Sequence, residues 1–156
     1  MLRKSRPTAL PINGNVCKYE SYKEAWARIH QALEAGFYLE AIVIEESIIA
    51  DRLTSYLTAC GRMPKLGLPG LFQLVQSWRQ DEVPALDNQL GDLKMAINDD
   101  WRIARNDAVH AIVKSPPGTP TTPVDDFLDR AKMAAELGAE LARAVDRWHR
   151  KQMKAG

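Results

Sequence analysis

Tyr38-Leu39-Glu40-Ala41-Ile42-Val43-Ile44-Glu45-Glu46-Ser47-Ile48-Ile49-Ala50-Asp51-Arg52-Leu53-Thr54-Ser55-Tyr56-Leu57-Thr58-Ala59-Cys60 is the stretch on which the fold turns. Its opening, Ala41 to Ile44, has the β-branched content of a strand. The apolar positions Ile42, Ile44, Ile48, Ile49, Leu53 and Leu57 nonetheless keep helical spacing for about five turns, and Gly61 follows as a stop. A helix accounts for the whole stretch. Its apolar arc is so wide that the helix belongs at the centre of a bundle.

Upstream, Ser21 reads as the N-cap of a first helix, with Glu24 in the capping-box position. That helix carries Tyr22, Trp26, Ile29 and Leu33 on one face and ends at Gly36. Residues 1–19 read as an extended arm containing Pro and Gly. Downstream, Arg62 to Leu68 is a basic loop, and Pro69 suits the first position of a short helix bearing Leu71, Phe72, Leu74, Val75 and Trp78. After a loop at Asp81 to Pro84, a helical region spans 85–113. A break is expected at Asn98-Asp99-Asp100, where three cap-capable residues cluster, with Asp99 and Asp100 favouring the N-terminus of the restarted helix.

Ser115 to Thr122 holds three prolines and a glycine and is a stiff linker within the domain. Thr122 then caps a last helix, with Pro123 at N1 and Asp125 at N3. Phe127, Ala134, Leu141 and Trp148 recur every seven residues, interleaved with Ala131, Gly138 and Val145. Such a seam predicts a partner helix at close approach. The expectation is an all-α protein: an N-terminal arm over 1–19 and one compact bundle of about five helices over 20–154.

Composition sets bounds on function. The 156 residues suffice for one well-packed domain, and the apolar and charged fractions, 46% and 26%, are those of a globular protein. The net charge of +1 excludes a global basic field, so any nucleic-acid contact must be local. Cys17 and Cys60 are too few for a disulfide framework and match no metal spacing. There is no P-loop and no nucleophile elbow. Neither a signal peptide nor a membrane span is expected, so the default location is the cytoplasm.

The chemistry-bearing stretch is Arg105-Asn106-Asp107-Ala108-Val109-His110. An imidazole moves protons near neutral pH, and a guanidinium grips phosphate with paired hydrogen bonds. Together they are what RNA cleavage needs. On a helix Asn106 and His110 lie about 40° apart and share a face, whereas Arg105 lies about 140° from His110 and must reach around or act across a dimer. The plainer alternative makes His110 a half-buried core residue and Arg105 a solvated charge. Glu45, Glu46 and Arg52 interrupt the apolar second helix. Glu45 and Asp107 are supporting candidates: Glu45 is suited to fixing Arg105 or His110, or, more plainly, the acids here serve a Glu45–Arg52 pair or a Glu–Arg pair between helices. His30 and His149 read as surface residues. The basic tail, from Arg143 to Lys154, and the Arg62 to Lys65 loop could guide RNA, although a solvated helix end is the plainer account of the tail.

A helical bundle with Arg105, Asn106 and His110 in its penultimate helix, and with Trp101, Val109, Ile112 and Val113 around them, resembles the HEPN domain family (higher eukaryotes and prokaryotes nucleotide-binding). The resemblance spans residues 20 to 150. It implies a metal-independent endoribonuclease without cofactor, working as a homodimer whose two motifs face one cleft. In that scheme His110 activates the ribose 2′-OH, Arg105 stabilises the phosphorane, and Asn106 orients the imidazole or substrate. It also implies a role as a toxin of a toxin–antitoxin pair or in phage defence, with a nucleotidyltransferase-type antitoxin as possible partner. The competing reading is a non-catalytic helical dimer module that binds a partner protein or a nucleotide through the last helix. A small DNA-binding regulator is disfavoured by the lack of a helix-turn-helix signature.

Overall fold

The computed structural model describes residues 12–63 and 69–155, with side chains from Val16 onward. Among these residues the fold is all-α, with five helices longer than a single turn. The decisive stretch is helical throughout, as α2 (Tyr38–Ala59). It buries Ala41, Ile42, Glu45, Ile48, Ile49, Leu53, Tyr56 and Leu57, so its buried stripe advances by three or four residues. Helix α1 (Ile12–Ala35) starts well before Ser21, which lies mid-helix and caps nothing. The part of the expected arm from residue 12 on is thus helical, while residues 1–11 lie outside the described residues.

Both glycine stops are as expected. Gly36 turns at φ 79°, and Phe37 N–H bonds the Ala32 carbonyl at 2.8 Å; Gly61 turns at φ 69°, and Arg62 N–H bonds the Leu57 carbonyl at 2.9 Å. These six-to-one closures satisfy the last carbonyls of α1 and α2 with a backbone that only glycine adopts cheaply. Helix α3 (Leu71–Arg79) begins two residues later than expected, with Gly70 as N-cap and Leu71, not Pro69, at N1, and buries Leu71, Leu74, Val75 and Trp78.

The region 85–113 departs most from expectation. It opens with a two-stranded antiparallel hairpin, β1 (Leu86–Asp87) and β2 (Gly91–Asp92). Asp87 Oδ2 accepts from the N–H groups of Gln89 and Leu90, folding the turn locally, which is the usual competition of aspartate with a helix. Asp92 then caps α4 (Leu93–Met95) through the Lys94 N–H at 3.0 Å. No break follows at Asn98 to Asp100. A π-helical segment (Ala96–Trp101) runs on into α5 (Arg102–His110), so Asp99 and Asp100 cap nothing. The π segment turns Trp101 wholly inside, where its Nε1 donates to the Ala134 carbonyl at 3.1 Å. A π turn also shifts the phase of every later residue relative to an unbroken 3.6-residue pattern.

Helix α6 (Val124–Lys154) has Pro123 as N-cap, one residue after the expected Thr122, and no side-chain capping bond. Its seven-residue seam is buried along its length: Phe127, Ala131, Ala134, Gly138, Leu141, Val145 and Trp148 all face inward. The partner helix this seam requires belongs to the same chain. Helices α2 and α6 form the most extensive pairing of the fold, with α1 and α3 packed on α2, and α5 on α6. Trp148 closes the core's far end against Tyr56 and Trp78, with ring centroids 4.6 and 5.0 Å away. No helix among the described residues is long and apolar enough to cross a membrane.

Candidate functional site

Arg105 is half-buried and already engaged. Its Nε and NH2 both donate to Glu46 Oε2, at 3.0 and 2.6 Å, and its NH1 donates to Asn106 Oδ1 at 2.7 Å. The guanidinium therefore clamps α5 to α2 and fixes the Asn106 side chain. The partner expected from sequence, Glu45, is wrong by one residue. Glu45 lies on the buried stripe of α2 with Ile42, Ile48 and Ile49, whereas Glu46 is rotated by about 100° toward α5.

Glu45 is fully buried, and neither carboxylate oxygen has a hydrogen-bond partner. Burial pushes its carboxyl up to about 9 against the opposing pull of Arg143, so it is a neutral acid at neutral pH. It occupies the notch left by Gly138 on α6, where a Cβ would sit 2.2 Å from Glu45 Oε1 and 2.7 Å from Trp101 Nε1. Arg52, the other partner expected for Glu45, is engaged elsewhere: its Nε donates to Tyr22 Oη at 2.6 Å and faces Asp146 at 3.7 Å.

His110 is the final residue of α5 and is exposed, not half-buried in the core. With Asn106, Asp107 and Ala111 it forms one wall of a cleft of about 490 Å3. The opposite wall is the linker, including Ser115, Pro116, Pro117, Pro120 and Thr122, and Lys114 stands between the two. Three proline rings fix the backbone of that wall, so the cleft exists without a ligand. The structure thus brings Asn106, Asp107 and His110 together as expected. Arg105 touches only Asn106 of the three: its guanidinium is outside the cleft lining, consistent with its offset of about 140° from His110. Lys114 is the cleft residue that the motif does not reveal; its only sequence signal is a cation one turn past the histidine.

His30 is exposed, as expected, but His149 is not. Its Nδ1 lies 3.4 Å from Arg52 NH1 and its Nε2 3.0 Å from Ser55 Oγ. A guanidinium can only donate, so Nδ1 accepts and Nε2 carries the proton toward Ser55. That tautomer cannot deprotonate the hydroxyl, which argues against a serine nucleophile here. Among the described residues no cluster of three or more His, Cys, Asp or Glu is placed to hold a metal ion. The tail cations are largely engaged: Arg147 pairs with Asp87 at 3.1 Å, Arg150 pairs with Asp146 at 2.5 Å, and Arg143 lies over Trp26 at 5.1 Å. In the other basic stretch, Arg62 pairs with Asp81 at 2.5 Å, and Lys65 lies outside the described residues.

No family model matches the chain. Neither does any curated protein or solved structure. The HEPN resemblance therefore rests on the Arg105–His110 motif and the helical bundle around it.

Proposed function

We propose that the chain is a metal-independent endoribonuclease of HEPN type that acts as a pair of identical chains. The observation that carries this reading is the exposed imidazole of His110 on the wall of a pre-formed cleft, beside Asn106, Asp107 and Lys114. In the reaction, His110 removes the proton from a ribose 2′-OH. The 2′-oxygen forms a bond to the adjacent phosphorus as the bond from phosphorus to the 5′-oxygen breaks. The leaving 5′-oxygen takes up a proton, so the products end in a 2′,3′-cyclic phosphate and a 5′-hydroxyl, with no water consumed. Lys114 and Arg105 of the second copy neutralise charge on the phosphorane.

Pairing of two chains is supported by the position of Arg105, outside the cleft of its own chain. It is further supported by an apolar groove of about 300 Å3 near the cleft, lined by Phe37, Ile112, Phe127 and Leu128. Phe37, Ile112 and Leu128 are exposed there, a contiguous apolar surface of the kind that self-association covers. On this reading the protein is a growth-arresting toxin or a phage-defence nuclease, and an antitoxin acts by covering the cleft or modifying its rim.

The test is cleavage of an end-labelled single-stranded RNA in excess EDTA. Wild type should cut and leave cyclic phosphate ends, while His110→Ala should be slower by about 100-fold or more, the usual size of a lost acid–base group. Equal cleavage by both proteins, or none by either, removes the reading. One observation favours a second reading, a non-catalytic binding module: Glu46 and Asn106 already satisfy Arg105 as a structural clamp. Under it Arg105→Ala lowers stability and no RNA is cut. The α6 seam is not the docking surface of such a module, because α2 covers it.

A further inference from the structure

A second polar groove, of about 440 Å3, lies between α1 and α6 at the far end of the molecule from the His110 cleft. Its lining holds four cations, Lys18, Lys23, Arg52 and Arg150, against one carboxylate, Asp146. A chain whose net charge is only +1 has gathered positive charge here. The rest of the lining is aromatic: Tyr19, Tyr22 and Trp26.

The floor is fixed by internal pairing. Tyr22 Oη donates to Asp51 at 2.5 Å and accepts from Arg52 Nε at 2.6 Å. Lys18 also pairs with Asp51, and Arg150 with Asp146 at 2.5 Å. Asp146 in the lining and Asp51 just outside it are therefore both committed, leaving four cations against these two carboxylates. Asp51 is held below the usual range because these bonds outweigh its burial. The rim is left with an excess of cation, and Lys23 has no ion-pair partner among the described residues. Tyr19 is 70% exposed, a large ring facing water with no ring stacked on it among the described residues. Trp26 lines the same groove under the Arg143 guanidinium.

We propose that this groove binds single-stranded RNA, with bases stacking on Tyr19 and Trp26 and phosphates lying against Lys23 and Arg150. Interleaved aromatic and cationic side chains are the common physical solution for gripping a single strand. An acidic peptide would use the cations and leave the rings idle. Preference for RNA rests on the ribonuclease reading of the His110 cleft. The cleft borders the N-terminal end of α6, and Asp146 lies 22 residues beyond Val124, about 33 Å along the helix. The groove would thus hold a substrate well away from the bond that is cut.

The experiment is fluorescence anisotropy of a labelled, unstructured RNA of about 12 nucleotides, long enough to cover one such groove, titrated with the full chain carrying His110→Ala in EDTA. In that background, Lys23→Glu with Arg150→Glu should weaken binding at least about tenfold and lower the salt slope by about two. Tyr19→Ala should weaken it about fivefold. A charge-matched control, Arg79→Glu with Lys132→Glu, should stay within about twofold of the parent. No binding by the parent, an unchanged affinity in the groove variants, or an equal loss in the control overturns the proposal. Binding is read without cleavage. RNA that binds through the groove yet is never cut by the His110-containing chain removes the ribonuclease reading and leaves this one. RNA that is cut but binds the groove variants normally does the reverse.

Discussion

Glu45 and Glu46 are adjacent in sequence and opposite in circumstance. Glu46 faces α5 at a partly exposed surface and accepts both its bonds from Arg105. Glu45 faces α6, is sealed from water, and has no hydrogen-bond partner. A step of about 100° around one helix separates an ion pair at the surface from a neutral acid in the core. A carboxyl is tolerated in the core only when it keeps its proton, and even then its unpaired oxygens carry a desolvation cost. Gly138 and the turned-in indole of Trp101 leave the room it needs.

That contrast breaks most severely at Gly138. Alanine normally favours a helix over glycine by about 1 kcal/mol. Here the new methyl would meet Glu45 Oε1 at 2.2 Å and Trp101 Nε1 at 2.7 Å, so the sign reverses. Gly138→Ala should lower unfolding free energy by about 3 kcal/mol in urea titration. A gain in stability would mean that α2 and α6 are not packed as described.

The next largest effect is one of pH. In the folded chain Glu45 holds its proton up to about 9, against an ordinary value of 4.5. The unfolded chain therefore binds fewer protons between those values, and stability falls as pH rises through that window. Glu45→Gln cannot ionise and should flatten this dependence, matching wild type near pH 5 and exceeding it by a few kcal/mol near pH 9, since each pH unit within the window costs the wild type up to about 1.4 kcal/mol. Parallel pH curves for the two proteins would contradict a buried neutral Glu45.

On the other side of the helix, Glu46→Gln removes the charge that holds Arg105. Both groups are about a quarter exposed, so the stability loss should be modest, about 1 kcal/mol by thermal or urea unfolding. A loss of about 3 kcal/mol or more would make the pair a structural clamp and favour the binding-module reading. The smallest effect belongs to His110. Its side chain is exposed at a helix end, and His110→Ala should leave stability within about 0.5 kcal/mol. A larger loss in the same unfolding assay would return His110 to the structural role that the sequence leaves open.

The helices are legible in the sequence wherever apolar spacing and a glycine stop agree, as in α2 with Gly61 and α1 with Gly36. Local cap signals mislead at two places for identifiable reasons. Ser21 and Glu24 have cap-and-box spacing, but nothing upstream ends the helix, so α1 runs through them. Asn98, Asp99 and Asp100 look like a boundary, yet Trp101 gains more by burial, and a π turn takes up the conflict. The heptad seam of α6 announces a partner without naming it, and α2 of the same chain fills that place. At the site, the phase of α5 follows from simple helix geometry: Asn106 and His110 share a face and Arg105 does not. Glu46 is harder to separate from Glu45, since only the stripe of Ile42, Ile48 and Ile49 shows which acid faces inward. Lys114 stays hidden because the linker that makes it a cleft residue has no periodicity.

The central claim is that His110 of one chain and Arg105 of a second act on one phosphate. It is tested most directly by mixing two inactive variants, Arg105→Ala and His110→Ala, and assaying RNA cleavage in EDTA after subunit exchange. Random pairing places about half the chains in mixed dimers, each with one intact composite site of two, so activity should return to about a quarter of wild type. If the mixture stays as inactive as its components, or if Arg105→Ala alone cuts RNA at the wild-type rate, the two residues do not share a cleft across chains.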